Sequence, residues 1–194
     1  MADTSDPFAL FGDWLGEAEQ SEPNDPNGMV LATATPEGRP SARMVLLKGW
    51  DRGGFVFYTN LESRKGEELR ANQAVALLFH WKSLRRQVRI EGRAEDVTAT
   101  EADAYFATRP RLARLGAWAS DQSRPLSSRA VLVARAAAME VRYPFGDIPR
   151  PPHWSGYRVV PEQFEFWQDM PFRLHDRIVF VREGAAWSHG ALYP

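Results

Sequence analysis

Apolar residues along this chain recur mainly with a period of two, the spacing of a strand that buries one face. Turn residues divide these positions into short runs. In the first half of the chain the runs cover residues 29–35, 41–48, 55–60, 74–81 and 85–96. In the second half they cover residues 154–160, 163–168, 178–182 and 186–188. We expect six to eight strands from this pattern.

Three turns are predicted to decide how the strands pair. Residues 36–40, with a proline at each end, favour a hairpin between the first two runs. A Gly53-Gly54 turn is expected to close a hairpin between the run that ends at Lys48 and the run that begins at Phe55. Pro161-Glu162 is expected to turn the chain between two paired strands.

Segments with helix capping signals lie before and between the strands. Asp6 is predicted to cap a first helix that places Phe8, Phe11, Leu15 and Ala18 on one face. The other predicted helices are residues 64–71 after Ser63, 98–108 with a Thr98 and Glu101 capping box, a short piece around 112–118, and a segment from Ser127 or Ser128 to Arg142.

This order of elements predicts a mainly β fold, an antiparallel, barrel-like sheet with peripheral helices. The regular βαβ alternation of a doubly wound fold is missing, as are the GxGxxG and P-loop patterns of nucleotide-binding proteins. We expect one domain over residues 1–194, in which residues 1–28 form a helix and loop and residues 29–194 form the barrel with inserted helices.

Composition excludes several classes of function. The 24 Lys and Arg residues nearly balance the 25 Asp and Glu residues, which gives no reason to expect a nucleic acid or a membrane as partner. No cysteine is present, so disulfides and thiolate chemistry are excluded. The acidic start, residues 1–6, lacks the blocks of a signal peptide, and a cytoplasmic protein is expected. No familiar metal-ligand spacing and no G-x-S-x-G pattern occurs, so no metal is expected.

Cations beside aromatic or hydroxyl residues are the remaining candidates for chemistry. They form four groups along the chain: Arg43 with Lys48; Tyr58 with Arg64 and Lys65; Tyr105 with Arg109; and Trp167 with Arg173, His175 and Arg177. Guanidinium and ammonium groups hold phosphate oxygens, and the Ser63-capped helix start favours an anion. Two bound phosphates would use this many cations. The alternative is a set of solvated surface charges and structural ion pairs.

Several motifs in this order resemble the pyridoxamine 5'-phosphate oxidase family over nearly the whole chain. They are residues 43–48 (RMVLLK), 57–60 (FYTN), 63–65 (SRK), 86–88 (RQV), 105–106 with 109–111, 116–118 with 122–123, 166–168 (FWQ) and 173–177 (RLHDR). The resemblance implies an FMN-binding split β-barrel with a Greek-key-like antiparallel arrangement. It also implies a homodimer with FMN at the subunit interface.

The resemblance further implies roles for individual residues. The implied FMN contacts are Arg43, Met44, Val45, Leu46, Leu47, Lys48, Tyr58, Thr59, Arg64, Lys65, Gln87, Gln122, Ser123, Trp167 and Arg177. The implied substrate contacts are Lys48, Tyr105, Arg109, Arg173, Leu174 and His175. Among these, Arg173 and His175 are expected to be catalytic, and Lys48 is expected to touch both cofactor and substrate phosphate.

The implied reaction is the oxidation of pyridoxamine 5'-phosphate and pyridoxine 5'-phosphate by oxygen to pyridoxal 5'-phosphate and hydrogen peroxide, in vitamin B6 biosynthesis and salvage. Two positions depart from the family's pattern: Ala113 stands where a serine is usual, and Ala191 where an arginine is usual. A related split-barrel flavoenzyme acting on a phenazine precursor is one alternative. A binder of FMN or pyridoxal phosphate without turnover is the other.

Overall fold

A computed structural model of the chain describes residues 5–194, so most of the acidic start, residues 1–4, lies outside the described residues. The helices are α1 Pro7–Ser21, α2 Arg64–Ala71, α3 Ala99–Thr108, α4 Arg111–Ala119 and α5 Arg129–Arg142. The strands are β1 Gly28–Ala34, β2 Pro40–Leu46, β3 Gly49–Asp51, β4 Gly54–Asn60, β5 Ala74–Trp81, β6 Arg86–Asp96, β7 Trp154–Gln168, β8 Asp176–Glu183 and β9 Ala186–Ala191. A single 3₁₀ turn, Pro171–Arg173, lies between β7 and β8.

Within the described residues, all nine strands belong to one antiparallel sheet in the order β2-β1-β5-β6-β7-β4-β3. Strand β8 is attached to β7, and β9 to β8. The sheet curls into a split β-barrel, and this confirms the predicted fold class. The number of strands exceeds the predicted six to eight.

Helix α1 supplies part of the main core. The Asp6 carboxylate accepts a hydrogen bond from the Phe8 N–H at 3.0 Å, and Pro7 occupies the first turn, as predicted. Phe11 is fully buried, with its ring 4.9 Å from the Phe55 ring and 5.1 Å from the Phe79 ring, both in edge-to-face contact. The buried face of this helix therefore forms part of the core, while its other face is exposed.

The predicted hairpin around Gly53-Gly54 is wrong in its first strand. Strand β2 pairs along its whole length with β1, and the turn instead joins β4 to the three-residue β3. The reason lies at Leu47, whose side chain is buried and whose N–H and C=O are both hydrogen-bonded to Asn27. These bonds end β2 there, and the chain enters the hairpin only at the next residue, where the Lys48 N–H donates to the Val56 carbonyl at 2.8 Å.

The predicted turn at Pro161-Glu162 is also wrong, because β7 runs through it without a break. Pro161 stands opposite Gly92 and Gln163 opposite Glu91, which leaves Glu162 as the extra residue of a bulge. Proline is tolerated in a sheet at such a bulge. Gly92 is needed there, since a Cβ at this position would lie 2.1 Å from the Val160 carbonyl oxygen.

Strand β7 organises the sheet around this bulge. One edge of β7 pairs with β6 along residues 157–168. The other edge pairs with β4 before the bulge and with β8 after it. The strand therefore links the β3–β4 hairpin to the C-terminal hairpin of β8 and β9.

Candidate functional site

A cleft of about 570 Å³ lies between β2, β4 and the pair of helices α3 and α4. Strands β2 and β4 contribute one wall, and the helices contribute the opposite one. Among the described residues, its lining consists of Met44, Val45, Leu46, Lys48, Tyr58, Thr59, Asn60, Lys65, Tyr105, Arg109, Ala113, Gly116, Ala117, Ser120, Gln122 and Trp154. The cleft thus combines cations, hydroxyl groups and aromatic rings, which suits a planar ligand with an anionic group.

Three parallel aromatic rings form part of this lining. The Tyr58 ring lies 4.1 Å from the Tyr105 ring and 5.3 Å from the Trp154 ring, with interplanar angles of 9° and 1°. The Arg109 guanidinium lies 4.8 Å from the centre of the Trp154 ring, a cation–π contact. Burial raises the pKa of Tyr58, and Glu101 and Tyr105 raise it further, so its hydroxyl stays protonated at neutral pH.

Arg109 carries an unsatisfied polar atom in this cleft. Its Nη1 is buried and has no hydrogen-bond partner among the described residues. Arg114 Nε is in the same condition but does not line the cleft. Burial lowers the pKa of Arg109, because desolvation disfavours the charged guanidinium. Because Arg109 also lines the cleft, its guanidinium is a candidate for holding an anion there.

The start of α2 forms a cationic end of the cleft. Ser63 caps the helix, and the Lys65 Nζ lies 3.0 Å from the Gln122 Oε1. Burial lowers the pKa of Lys65, and the nearby charge of Arg43 lowers it further. Two positive side chains and a helix N-terminus therefore act in the same place, an arrangement that favours a phosphate group.

A buried carboxylate lies behind this cationic end. One Glu68 oxygen, Oε2, accepts hydrogen bonds from Thr33, from Ser41 at 2.6 Å and from Arg43 at 3.1 Å. The other oxygen, Oε1, accepts from the Arg64 Nε at 2.8 Å. Burial alone would raise the pKa of Glu68, but these four hydrogen bonds outweigh it and hold the pKa at about 2.

A second cluster of predicted site residues lies on the neighbouring strands β6, β7 and β8. Gln87 pairs with Trp167 across β6 and β7, and Trp167 pairs with Arg177 across β7 and β8. The His175 ring lies 4.7 Å from the Trp167 ring, and its Nδ1 is 2.9 Å from the Asp169 Oδ1. The neighbouring Arg173 has a positive φ of 64°, an uncommon conformation outside glycine.

The structure therefore divides the predicted site residues into two groups. Those that line the cleft are Met44, Val45, Leu46, Lys48, Tyr58, Thr59, Lys65, Tyr105, Arg109 and Gln122. Those of the second cluster or the adjoining turn are Gln87, Trp167, Arg173, Leu174, His175 and Arg177. Four predicted residues belong to neither group. Arg43 and Arg64 both form ion pairs with Glu68. Ser123 follows Gln122 in the chain, and the Leu47 side chain lies in the core.

Strand β7 sets the separation between the two groups. Trp154 begins this strand and lines the cleft, whereas Trp167 lies near its end, in the second cluster. Thirteen steps of an extended strand span roughly 40 Å. One chain therefore does not bring Trp154 and Trp167 to the same small ligand.

Sequence reasoning missed several residues of the cleft. Asn60, Gly116, Ala117, Ser120 and Trp154 line it without having been predicted to do so. The spacing of Ala113, Gly116 and Ala117 was a usable signal, because positions three and four apart share one helix face. Nothing in the sequence marks Trp154 as a partner of Tyr58, since the two residues are almost 100 positions apart and meet only through the sheet.

Two features are absent from the described residues, 5–194. None of their His, Asp and Glu side chains forms a group of three or more that could hold a metal ion. None of their helices is long and apolar enough to cross a membrane.

Comparison with known proteins identifies the family of the chain. The model of the pyridoxamine 5'-phosphate oxidase family matches residues 15–143, and that of the pyridoxine 5'-phosphate oxidase C-terminal dimerisation region matches residues 154–194. The pyridoxine/pyridoxamine 5'-phosphate oxidase of Gluconobacter oxydans is 66% identical, over 98% of this chain and 95% of the relative. The protein of the same name from Rhodospirillum rubrum is 64% identical, over 97% of this chain and 96% of the relative.

A solved structure shares the whole architecture. PhzG from Burkholderia lata, in complex with tetrahydrophenazine-1-carboxylic acid, superposes with a TM-score of 0.93 at 34% identity, over 99% of this chain and 94% of that chain. The fold and these relatives define a split-barrel enzyme of the oxidase class. The chain belongs to the pyridoxamine 5'-phosphate oxidase family.

Proposed function

We propose that this chain uses FMN to oxidise pyridoxamine 5'-phosphate and pyridoxine 5'-phosphate with oxygen. The products are pyridoxal 5'-phosphate and hydrogen peroxide, with ammonia also released from the amine. The observation that carries the proposal is the cationic, aromatic cleft in which the Arg109 Nη1 is buried without a partner. Relatives that are 66% and 64% identical and carry the oxidase name support the same reaction.

The residues around the cleft fit FMN. A phosphate carries about −1.5 to −2 charges near neutral pH and accepts several hydrogen bonds. The start of α2 offers Arg64 and Lys65 for it, with Arg43 close by. The Thr59 hydroxyl and the Gln122 amide suit the hydroxyl-rich ribityl chain. When bound, FMN supplies the hydride acceptor and the route by which electrons reach oxygen.

The remaining cleft residues are proposed to hold the substrate. Lys48, Tyr105 and Arg109 would bind its phosphate, and the unpaired Arg109 Nη1 would gain a partner there. Tyr58 and Tyr105 are stacked, and such flat faces suit an aromatic ring. Fixing the phosphate at one end of the cleft would orient the carbon to be oxidised at the other.

Arg173 and His175 are proposed to orient the pyridine ring, and His175 to assist proton movement. The contact of His175 with Asp169 at 2.9 Å and its packing on Trp167 fix the imidazole position. The imidazole has two ring nitrogens that can exchange a proton with a bound substrate. If Arg173→Ala and His175→Ala retained full turnover with FMN bound, this assignment would be wrong.

We further propose that the active site is completed by a second copy of the chain. The cleft and the His175 cluster are separated along β7, and residues 154–194 match a dimerisation region. The outer face of β2, β1 and β5 also carries half-buried or exposed apolar side chains, namely Val30, Ala32, Ala42, Met44, Leu46, Ala76 and Leu78. An apolar sheet face of this kind is typical of a subunit interface. A homodimer with FMN at the interface would bring the two groups together.

The test is the purified protein itself. We expect a yellow protein with a flavin absorbance spectrum, which releases FMN on denaturation. With pyridoxine 5'-phosphate and oxygen it should form hydrogen peroxide and pyridoxal 5'-phosphate in equal amounts. A colourless protein that FMN does not reconstitute would contradict the proposal. A yellow protein that forms no peroxide would instead support a binder without turnover.

The likeness to PhzG makes a second reaction worth testing, oxidation of a reduced phenazine carboxylic acid. The two substrates differ in their anion, because one carries a phosphate and the other a carboxylate. Arg109, Lys48 and Tyr105 lie together in the cleft, and several donors converging on one position favour the phosphate. Peroxide formation with the phenazine but not with pyridoxine 5'-phosphate would reverse this assignment. The predicted single domain and the cytoplasmic location stay predictions.

A further inference from the structure

We infer that Glu68 is a positioning residue that aims the Arg64 guanidinium at the phosphate of the flavin cofactor. The inference rests on the proposed FMN site and adds a residue that touches neither cofactor nor substrate. Glu68 lies on α2, one helical turn after Arg64, and its side chain is 5% exposed. The carboxylate therefore acts from within the protein on a cation at the surface of the cleft.

The contacts of Arg64 leave part of its guanidinium available to bind a ligand. Glu68 Oε1 accepts from the Arg64 Nε, and this is the only hydrogen bond of that guanidinium among the described residues. The two terminal nitrogens remain for a ligand, and a guanidinium binds phosphate best through such a pair. The Arg64 side chain is 62% exposed, so without the Glu68 contact it would sample many rotamers.

The other carboxylate oxygen is fixed by the sheet. Thr33 of β1 and Ser41 and Arg43 of β2 all donate to Glu68 Oε2. Arg43 also donates through Nη1 to the Leu31 carbonyl at 3.2 Å, which ties it to β1 as well. The carboxylate thus joins two strands to the start of α2. Its position, and with it the direction of Arg64, is set before any ligand arrives.

The charges in this group also match the proposed ligand. Arg43, Arg64 and Lys65 contribute three positive charges and Glu68 one negative charge, which leaves two positive charges for a phosphate that carries nearly two negative ones. Glu68 also separates two guanidiniums that would otherwise repel each other. Glutamine cannot replace it, because its single oxygen cannot serve both Arg64 and the three donors on the sheet.

The experiment compares the affinity of the apoprotein for FMN with that for riboflavin, which lacks the phosphate, by quenching of flavin fluorescence. Loss of one hydrogen bond to a charged group corresponds to a weakening of roughly tenfold or more. We therefore expect Glu68→Gln to weaken FMN binding by about that factor and to leave riboflavin binding unchanged within about twofold. Glu68→Asp keeps the charge but shortens the reach, and it should weaken FMN binding in the same direction.

Two controls separate positioning from stability and charge. Glu17→Gln removes the same charge from α1, where Glu17 pairs with Arg86 away from the cleft, and it should change neither affinity. In an Arg64→Ala background, Glu68→Gln should have no further effect on FMN, since Glu68 acts through Arg64. Equal losses of FMN and riboflavin affinity, or an undiminished effect in the Arg64→Ala background, would overturn the inference. Failure of the wild-type protein to bind either flavin would instead refute the proposed function.

Discussion

Arg109 places a positive charge where the protein offers it few partners. Its guanidinium lies over Trp154 and lowers its desolvation cost through the ring, but Nη1 has no acceptor among the described residues. An unpaired buried atom of this kind costs stability in the free protein, and an anion bound in the cleft would stabilise the guanidinium. The residue therefore lowers the stability of the free protein and favours ligand binding, as residues of functional sites commonly do.

Replacing Arg109 by glutamine should separate binding from chemistry. We expect Arg109→Gln to raise the KM for pyridoxine 5'-phosphate roughly 10- to 100-fold while kcat changes little, because a phosphate contact acts equally in the ground and transition states. The melting temperature should stay the same or rise, since an unpaired buried cation is removed. Steady-state peroxide assays and thermal melts check both expectations. Arg93→Gln, which alters an exposed arginine paired with Gln73, is the matched control. A fall in kcat at unchanged KM would contradict the assigned role.

Glu68 makes stability depend on pH in a defined direction. Its pKa falls from an ordinary value of 4.5 to about 2 on folding, so the stabilisation is complete above pH 4.5 and is lost as the pH falls toward 2. At about 1.4 kcal/mol for each pH unit, the shift corresponds to about 3 kcal/mol. Urea unfolding should show that the wild type loses stability between about pH 6 and about pH 3. Glu68→Gln should lose much less stability over the same range. An equal loss of unfolding free energy between these two pH values in both proteins would show that other carboxylates control acid unfolding.

At the scale of the element, α4 sets the width of the cleft. Ala113, Gly116 and Ala117 place small side chains on its cleft face, and a Cβ added at Gly116 would meet no atom within 4 Å. The helix thus leaves room for a ligand without leaving a void in the core. The empty space beside Gly116 can be filled by mutation without disturbing the fold.

Gly116→Leu should block the cleft and preserve the helix. Leucine favours a helix over glycine by up to about 1 kcal/mol, so the free energy of unfolding should stay the same or rise. The affinity for pyridoxine 5'-phosphate or FMN should fall, because the side chain occupies the ligand's volume. Gly16→Leu is the matched control, since that helical glycine on α1 is also free of neighbours within 4 Å. Unchanged affinity and turnover in Gly116→Leu would show that the ligand does not use this part of the cleft.

The elements were predictable wherever a local signal decided them. The capping box of Thr98 and Glu101 and the run from Ala74 to Trp81 are confirmed, because caps and period-two patterns act over a few residues. Pro161-Glu162 was misread as a turn, since a bulge and a turn favour the same residue types and only the partner strand distinguishes them. The predicted pairing of β2 with β1 is confirmed, whereas its predicted pairing with β4 was wrong, because the end of β2 depends on Asn27, which lies 20 positions from Leu47.

The candidate site was predictable in its chemistry and only partly in its geometry. The cations and aromatics that resemble the family's motifs include Lys65, Tyr105 and Arg109, and the fold brings these into one cleft. The role of Glu68 was not predicted, because its hydrogen bonds with Thr33 and Ser41 form only in the tertiary fold. Its i,i+4 spacing from Arg64 indicated an ion pair, but such pairs are common on exposed helices.

At the scale of the whole molecule, the apolar outer face of β2, β1 and β5 is the surface that we propose to mediate dimerisation. Leu78 lies on β5, directly opposite Val30 on the neighbouring strand β1. A charge placed there would be buried without a partner in a dimer and hydrated in a monomer. We expect Leu78→Glu to convert the dimer to a monomer in analytical ultracentrifugation and to lose FMN with it. Val141→Glu, at a position 80% exposed on α5, should remain dimeric. A Leu78→Glu protein that stays dimeric would place the interface elsewhere.

The length of β7 has a consequence for mixed dimers of two variants. If each site takes its cleft from one chain and its His175 cluster from the other, two variants that are impaired in different parts of the site can form one intact site in a mixed dimer. Arg109→Gln and His175→Ala, refolded together, should form mixed dimers in which both defects fall in one site and the other site is intact. Random pairing of equal amounts predicts recovery of about a quarter of wild-type activity at limiting substrate, far above either parent. Differently tagged chains would verify that mixed dimers form. If they form without recovery, each chain holds a complete site, and the two ends of β7 serve different purposes.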